Sequence, residues 1–277
     1  MSGDGAGGRM VDQRYLRGEQ YRESGNLRAR MGLHERFSVN KQGWHRWVFG
    51  RIALPPGGRL LELGCGPGEL WRANAERIPG DWHLTLTDYS AGMVREASDG
   101  LAHLLPGAAI VAANVDAQAL PFADGSFDAV VANHMLYHVP DRPRAFGEIR
   151  RVLRPGGRFY AATNGGKHMQ ELGDLAAGEG LVAARIRGTL GFNLENGADE
   201  LAPFFAEVAL ERYDDALVVT EAEPLLAYIR SMSPDPRRDN TRLAARVADL
   251  LARDGAIRIT KDTGMFASGK SEVGSGK

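Results

Sequence analysis

The sequence has one cysteine, Cys65, no long apolar run and no excess of either charge. A single cysteine excludes an intramolecular disulfide and a zinc site built from several thiolates. The 34 lysines and arginines balance 35 acids, so no global field attracts nucleic acid or an anionic membrane. No apolar run approaches the roughly 18 residues of a membrane span, and the Gly-rich first ten residues lack the apolar core of a secretion signal. We therefore expect a cytoplasmic protein with neither a nucleic-acid nor a membrane partner.

Short apolar runs alternate with helical segments in the middle of the chain. The runs are Arg59–Leu63, Leu84–Asp88, Ile110–Asn114, Ala129–Asn133 and Phe159–Thr163. Each has the length and composition of a strand that is covered on both faces. Between them, Ser90 is a candidate N-cap for one amphipathic helix, and a second helix ends at Arg154-Pro-Gly-Gly. This alternation predicts right-handed crossovers and a parallel sheet.

The two ends of the chain have a different character. Residues 13–52 read as helices with clustered aromatic residues, and a helical insertion is expected at about 167–200. Later segments predict a strand near Val208–Tyr213 and a hairpin that pairs 257–261 with 265–267. The Gly- and Ser-rich composition of residues 1–12 and 268–277 is typical of disordered tails. We expect one α/β domain over residues 53–267, with a helical cap made from 13–52 and the insertion.

The sharpest motif directly follows the first predicted strand. It reads Glu62-Leu-Gly64-Cys-Gly66-Pro-Gly68. Glycines let the backbone turn tightly and let a ligand approach main-chain N–H groups at the start of a helix. Glu69 stands where a dinucleotide fingerprint would have its third glycine, and no Gly-Lys-Ser/Thr of a phosphate-binding loop follows. The motif therefore predicts a ligand-binding turn of another kind.

Two carboxylates accompany this turn. Asp88 ends the second predicted strand, where it can accept hydrogen bonds from both hydroxyls of a ribose. Asp116 follows the third strand, in Asn114-Val-Asp-Ala, where it can face an adenine amino group. Because parallel strands end at the same edge of a sheet, the turn and both acids predict a nucleoside pocket there.

The chain resembles a known family over roughly residues 55–165. ELGCGPG, TDYS, NVDAQALPFADGSFDAVVANHMLYHV and RRVLRPGGRFYAAT are similar to the motifs of class I S-adenosylmethionine-dependent methyltransferases. Within that family, the motifs most resemble the small-molecule branch that includes the ubiquinone and menaquinone biosynthesis enzymes. The resemblance implies S-adenosylmethionine as cofactor. It also implies a doubly wound, mostly parallel, seven-stranded Rossmann-like sheet with an antiparallel final strand.

The resemblance also assigns roles around the glycine turn. Gly64 and Gly66 would lie under the methionine part of the cofactor, and Glu62 would anchor the loop. The single cysteine, Cys65, lies within this turn. It is read as a small buried residue rather than a nucleophile, because the sequence places no base beside it.

Further cofactor roles follow at the next strand ends. By the same resemblance, Asp88 would hold the ribose while Tyr89 packs on the adenine. Asp116 and the Ala117 amide would read the adenine edge. Asn133, at the end of the fourth strand, would lie beside the sulfonium.

Two histidines are the candidate catalytic residues. His134 and His138 follow the fourth strand, beside the expected sulfonium. Because the imidazole pKa lies near neutrality, either could accept a proton from the methyl acceptor. The alternative is that they pack under the cofactor. Their spacing of four suits a metal, but no third ligand is placed nearby, so no metal site is predicted.

Candidate acceptor-binding residues lie after the fifth strand and in the cap. They are Tyr15, Tyr21, Asn164, His168 and Asn196. A capping role is equally compatible with the position of Asn164. Trp44 and Trp47 are three residues apart, which favours the buried face of a helix over a stacking platform.

These observations predict a methyltransferase for a small organic acceptor. The aromatic cap favours a ring-bearing or partly apolar compound, such as a natural-product or secondary-metabolism intermediate. Methylation of protein or RNA is one alternative, although Asn133-His-Met-Leu differs from the Asn/Asp-Pro-Pro-aromatic turn of amino-group methyltransferases. A non-catalytic S-adenosylmethionine-binding regulator is the other. The acceptor atom and the oligomeric state are left open.

Overall fold

The computed structural model describes residues 25–105, 107–175, 191–231 and 240–270. Helices α1 (Gly25–Phe37) and α2 (Trp44–Phe49) precede the first strand. The remaining elements, in chain order, are β1 (Arg59–Leu63), α3 (Glu69–Arg72), β2 (His83–Asp88), α4 (Ala91–Leu104), β3 (Ala109–Asn114), β4 (Phe127–Asn133), α5 (Arg142–Val152), β5 (Leu153–Asn164), α6 (Gln170–Leu175), α7 (Gly197–Leu201), β6 (Ala206–Arg212), β7 (Asp215–Val219), α8 (Ala222–Ser231), α9 (Thr241–Asp254), β8 (Ile257–Lys261) and β9 (Thr263–Gly269).

Seven strands form the main sheet, in the order β3-β2-β1-β4-β5-β9-β6. Strands β1 to β5 pair in parallel, and β9 runs antiparallel between β5 and β6. The five predicted parallel strands and the antiparallel final strand are confirmed. Neighbouring residues Leu60 and Leu61 point to opposite faces of β1 and are both fully buried, as expected of a strand covered on both sides.

Helices cover both faces of this sheet. On one face, α5 and α7 contribute to a core that includes Phe146, Ile149 and Leu201. On the other face, α2, α3 and α4 pack through residues such as Trp71 and Leu101. Helix α4 begins where the sequence predicts, because the Ser90 hydroxyl accepts a hydrogen bond from the Met93 amide at 3.4 Å.

A second, two-stranded sheet carries its own core. Strands β7 and β8 pair antiparallel. The core of this unit combines side chains from α1, α6, α8, α9 and both strands, such as Leu33, Leu172, Leu225, Val247 and Ile259. Helix α1 therefore packs on this unit, whereas α2 packs on the main sheet.

The predicted hairpin at 257–267 is wrong. Strand β8 pairs with β7, and β9 pairs with β5 and β6, so the two segments lie in different sheets. Only Asp262 separates them, and a tight hairpin needs a two-residue turn. The Asp262 carboxylate forms an ion pair with Arg212 and accepts a hydrogen bond from the Lys167 amide at 3.2 Å. These bonds fix the crossing from one sheet to the other.

Several expected boundaries shift. The strand predicted near Val208–Tyr213 is β6, which begins two residues earlier, at Ala206. The C-terminal tail was expected from Ser268, but Ser268 is fully buried and pairs with Phe159 in the sheet. Helices α6 and α7 lie in the 167–200 insertion, of which 176–190 is outside the described residues, as are 1–24. In the described parts of the chain, no helix has the length and apolarity of a membrane span.

Candidate active site

A cavity of about 720 Å³ lies at the carboxyl ends of the parallel strands. Its motif half is lined by residues of 62–70, 87–93 and 115–118. Its cap half is lined by residues of 30–46 and 134–138, together with Asn164, His168, Tyr228 and Lys261. Asn133, at the end of β4, lies where the two halves meet. The volume lies within the range of about 300–1,000 Å³ that is typical of small-molecule sites.

The glycine turn shapes the floor of the motif half. Gly64 has a φ of 67°, and a Cβ there would lie 2.6 Å from the Met135 Cβ, so only glycine fits. Gly68, with a φ of 85°, starts α3. The Cys65 amide donates to the Thr87 carbonyl at 2.9 Å, which ties the turn to β2. Burial raises the pKa of the Cys65 thiol, so the thiol stays protonated and is a poor nucleophile.

The Asp88 carboxylate is held by two backbone amides. It accepts from Gly66 at 3.0 Å and from Ser90 at 2.7 Å. Burial raises the pKa of Asp88, and these two N–H bonds oppose that rise. The acid is therefore fixed to the glycine turn and keeps lone pairs for a ligand's hydroxyl groups.

Glu62 lies beneath the turn as a neutral anchor. Its side chain accepts a hydrogen bond from the Trp71 indole N–H at 2.6 Å. Burial raises its pKa to about 8, the Trp71 bond opposes the rise, and the nearby Asp88 charge adds to it. At neutral pH most of the carboxyl is thus protonated, and Glu62 links β1 to α3.

The third acid of the motif half forms a local turn. The Asp116 carboxylate accepts from the Gln118 amide at 2.9 Å, which fixes the loop after β3. The structure brings all the predicted cofactor residues to the cavity wall. They are Glu62, Gly64, Gly66, Asp88, Tyr89, Asp116, Ala117 and Asn133.

Trp44 bridges the two halves of the cavity. Its indole N–H donates to the Asn133 carboxamide oxygen at 3.1 Å, and its ring lies 5.0 Å from that of His134. The sequence predicts that Trp44 and Trp47 are both buried on one helix face. Trp47 is buried in the core, but Trp44 lines the cavity. The indole N–H explains the difference, because it has its partner on the cavity wall.

His134 has an unusual backbone conformation. Its φ is 57°, in the left-handed region, where a non-glycine residue costs about 1–3 kcal/mol. Its amide donates to the Ala162 carbonyl at 3.1 Å, which holds this conformation. Strain of this kind is commonly found at ligand sites. His134 and His138, the two candidate catalytic residues, both line the cavity.

Four imidazoles in the cap half are uncharged. The pKa values of His34, His134 and His168 are lowered to about 3, and that of His45 to about 4. Burial is the main cause in each case, and the positive charge of Lys261 adds to it. At neutral pH these rings therefore offer nitrogen lone pairs and N–H donors without charge.

A buried ion pair completes the cap half. The Lys261 ammonium lies 2.6 Å from the Asp215 carboxylate, and the side chains are 6% and 0% exposed. Ser38 donates its hydroxyl to Asp215, and the Asn40 amide donates to the same acid at 2.9 Å. Burial favours a higher pKa for Asp215, but the hydrogen bonds from Lys261, Ser38 and Asn40 together outweigh burial and lower the pKa. Burial lowers the pKa of Lys261, and the hydrogen bond and charge of Asp215 oppose that fall. The ion pair joins the segment after α1 to β7 and β8.

The candidate acceptor-binding residues lie in different places. Asn164 and His168 line the cap half, and the His168 Nδ1 accepts from the Asp262 amide at 3.3 Å. Asn196 is not on the cavity wall: its side chain donates to the Gly191 carbonyl at 2.9 Å, accepts from the Asn193 amide at 2.8 Å and so shapes the turn before α7. Tyr15 and Tyr21 lie outside the described residues.

Sequence reasoning missed the largest contribution to the cap half. Residues of the segment 30–46, which includes His34, Trp44 and His45, line much of it. Its dense mixture of histidine, tryptophan and amides, in HERFSVNKQGWHRW, is the signal that could have identified it. Lys261 had no comparable local signal. Within the part of the chain that the structure describes, no three His, Cys, Asp or Glu side chains form a metal-binding group.

Comparison with known proteins relates the central strands to one family. The model of the family "Methyltransferase domain" matches residues 61–161. Over 116 residues the chain is 36% identical to the ubiquinone/menaquinone biosynthesis C-methyltransferase UbiE of Bordetella avium (strain 197N). The matched stretch is 42% of this chain and 44% of that relative, so the chain spans less than half the length of this relative.

Solved structures share the fold over most of the chain. Phosphoethanolamine N-methyltransferase 2 of Haemonchus contortus, in complex with S-adenosyl-L-methionine, has a TM-score of 0.60 at 20% identity, covering 94% of this chain and 60% of that one. The [4+2]-cyclase SpnF has a TM-score of 0.55 at 24% identity, covering 83% and 80%. Since one of these proteins is named a cyclase, the fold alone does not specify the reaction. Residues 61–161 thus match the model of a methyltransferase domain, and most of the chain shares the fold of these solved structures.

Proposed function

We propose that this protein transfers the methyl group of S-adenosylmethionine to a small organic acceptor that bears a ring or is partly apolar. The observation that carries the proposal is the single cavity that joins the motif half to the cap half at Asn133. One half offers the backbone turn and acids of a nucleoside site. The other offers aromatic rings and neutral polar groups, which suit a small acceptor.

The residues of the motif half fit the cofactor. The Asp88 carboxylate would accept the ribose hydroxyls, because it is already fixed to the Gly66 and Ser90 amides. Asp116 and the Ala117 amide would meet the adenine edge, and Tyr89 would pack against the ring. Gly64 leaves the floor of the turn without a side chain. Uncharged Glu62 would anchor the turn without adding a second negative charge.

Positioning is the main task of this chain in the reaction. When bound, S-adenosylmethionine supplies a methyl group that its positively charged sulfur already activates. The protein then has to align the acceptor and exclude water. Trp44 serves both purposes, since it holds the Asn133 carboxamide and packs against the Trp47 ring at 5.2 Å.

His134 is the residue that we assign to the acceptor's proton, with His138 as the second candidate. His134 adjoins Asn133 and is uncharged, so a ring nitrogen can accept a hydrogen bond from an acceptor O–H or N–H. Its lowered pKa weakens it as a base. Orienting the proton-bearing atom is therefore the larger part of its contribution.

The nature of the acceptor is supported by two observations. The cap half has the rings of Trp44, Tyr137 and Tyr228 on its wall, which suit a flat or apolar compound. The Bordetella avium relative is named a ubiquinone/menaquinone biosynthesis C-methyltransferase. A natural-product intermediate of similar size would fit. A regulator that only binds the cofactor has no use for the polar cap half, so the enzyme is preferred.

An acceptor screen by mass spectrometry tests the proposal. The protein is incubated with S-adenosylmethionine and a library of hydroxylated, amino and quinol ring compounds. We expect at least one compound to gain one methyl group, with S-adenosylhomocysteine formed in equal amount. Asp88→Ala, which removes the proposed ribose contact, is the control and should give less product. Methylated protein or RNA with no methylated small compound would overturn the assignment of the acceptor.

A further inference from the structure

The packing of the second sheet does not by itself require the buried ion pair of Lys261 and Asp215. Removing two charges from water is expensive, and well-packed apolar residues often replace such pairs at no loss of stability. Lys261 ends β8 and lines the cavity, whereas Asp215 lies behind it and is fully buried. The structure therefore keeps a charged ammonium on the cavity wall and places its counter-ion on the far side.

The ammonium keeps one hydrogen-bond donor for a ligand. Lys261 has three N–H groups. It donates to the Asp215 carboxylate at 2.6 Å and to the Ser38 hydroxyl at 3.3 Å. No third acceptor meets it in residues 25–105, 107–175, 191–231 and 240–270. The Tyr213 ring, 5.4 Å from the ammonium, covers another side.

The neighbouring groups favour a ligand that carries negative charge on oxygen. The imidazoles around Lys261 are uncharged, so they neither repel an anion nor neutralise it. Two buried polar atoms on the same wall, the His34 Nδ1 and the Asn164 Oδ1, have no hydrogen-bond partner among the described residues. Buried polar groups normally have partners, so both atoms are available to a ligand. The imidazole can donate to an oxyanion from Nδ1, whereas the amide oxygen only accepts, from a donor elsewhere on the ligand.

We propose that Lys261 is an oxyanion-binding residue that recognises an ionised oxygen, phenolate or carboxylate, on a small ring compound. That this compound is the methyl acceptor rests on the function proposed above. Asp215 is a positioning residue, because it holds the ammonium and is not on the cavity wall. Ser38, which does line the cavity, accepts a hydrogen bond from the same ammonium. His34 completes the subsite by donating its Nδ1–H to the oxygen, and the Asn164 Oδ1 would accept from an O–H or N–H elsewhere on the ring compound.

Binding of small ring compounds tests this without any turnover. 4-Nitrophenol is useful because its phenolate absorbs visible light and its neutral form does not. With S-adenosylhomocysteine present, the wild-type protein should raise the visible absorbance at a pH at which most of the free phenol is neutral. Calorimetry with benzoate reports a carboxylate instead, and nitrobenzene is the uncharged control. A response to 4-nitrophenol alone or to benzoate alone identifies the type of oxyanion. Equal binding of nitrobenzene would overturn the proposal.

Two variants connect the signal to Lys261. Lys261→Met should weaken binding of the responding anion at least about tenfold. Because this change leaves Asp215 buried and unpaired, the double variant Asp215→Asn/Lys261→Met removes both charges and protects the fold. Lys167→Met, at an exposed lysine outside the cavity, is the matched control. Anion binding that is unchanged in the folded double variant contradicts the proposal.

Affinity for S-adenosylhomocysteine separates the two claims. It should be the same in the wild-type protein, the double variant and the control, since Lys261 is not in the motif half. If the wild-type protein bound the anion through Lys261 but did not bind S-adenosylhomocysteine, the oxyanion site would stand and the methyltransferase function would fail. If it bound S-adenosylhomocysteine but no anion, the reverse would hold.

Discussion

The two halves of the cavity are built in different ways. The motif half consists of turns that directly follow β1, β2 and β3, and its cavity-lining groups include the Asp88 carboxylate, which backbone amides hold in place. The cap half consists of side chains from segments far apart in the sequence, such as His34, His168 and Lys261. The motif half therefore depends on main-chain geometry, and the cap half depends on how two sheets pack.

The electrostatics of the halves differ as well. The motif half contains the acids Asp88 and Asp116 beside a mostly protonated Glu62. The cap half combines uncharged imidazoles with the ion-paired Lys261 and has four further charged side chains on its wall: Arg30, Glu35, Lys41 and Arg46. A cationic cofactor suits the first half, and an anionic or neutral acceptor suits the second. One cavity can thus hold two ligands of different charge next to each other.

The largest effect is expected on turnover, from the cap half. His134→Ala should lower turnover of an acceptor found by the mass-spectrometric screen by about 10²-fold, because a reacting atom misplaced by about 1 Å costs roughly that factor. The affinity for S-adenosylhomocysteine should not change. His138→Ala is the matched control and should have the smaller effect. Loss of S-adenosylhomocysteine binding in His134→Ala would show that the imidazole packs under the cofactor, and would remove this distinction between the halves.

The next effect is expected on cofactor affinity, from the motif half. Asp88→Ala removes the charged acceptor proposed for the ribose hydroxyls, which should cost about 1.5–3 kcal/mol of binding free energy. This corresponds to a dissociation constant for S-adenosylhomocysteine roughly 10- to 150-fold higher, measured by titration calorimetry. Asp99→Ala, on the exposed side of α4, is the control. Equal affinities in the two variants would remove Asp88 from the site.

The halves should also respond to acid in different ways. The four cap imidazoles have pKa values of about 3 to 4 in the folded chain against 6.5 in the unfolded chain. The stability that they provide is complete above pH 6.5 and is lost as the pH falls toward 3. Each should contribute up to about 1.4 kcal/mol of unfolding free energy per pH unit. Urea unfolding between pH 7 and pH 5 measures this slope. His34→Gln should reduce it, and an unchanged slope would contradict the account.

As the pH rises above neutral, the motif half should cause most of the change in unfolding free energy. The pKa of Glu62 is about 8 in the folded chain against 4.5 in the unfolded chain. Its contribution is complete below pH 4.5 and is lost as the pH rises through 8, with the same limiting slope per pH unit. Glu62→Gln, which keeps a hydrogen-bond acceptor for Trp71, should flatten the fall in unfolding free energy between pH 6 and pH 8. A fall that persists unchanged in this variant would exclude Glu62 as its cause.

The smallest effect is expected where the halves meet. Trp44→Phe keeps a ring but removes the hydrogen bond to Asn133, worth about 0.5–1.5 kcal/mol. We expect turnover to fall by up to about tenfold. Trp47→Phe, in the core, is the control and should change stability more than turnover. If both variants kept wild-type turnover, the bridge between the halves would have no role in catalysis.

The motif half could be predicted because its residues are local to strand ends. Gly64, Asp88 and Asn133 each follow an apolar run, and parallel strands bring such positions to one edge. The cap half could not be predicted in this way. Lys261 reaches the cavity only because β8 pairs with β7 rather than with β9, and the sequence predicts a hairpin there. Asn196 shows the converse. Its side chain was a candidate for the acceptor site, but it forms its hydrogen bonds within its own turn.

Titration calorimetry with S-adenosylmethionine and S-adenosylhomocysteine tests the central claim most directly, with NAD and ATP as controls. The account predicts that the first two ligands bind at one site per chain and that the controls do not, since the motif half lacks a dinucleotide fingerprint and a phosphate-binding loop. Binding of NAD or ATP in preference, or no binding of S-adenosylhomocysteine to the folded protein, would contradict it.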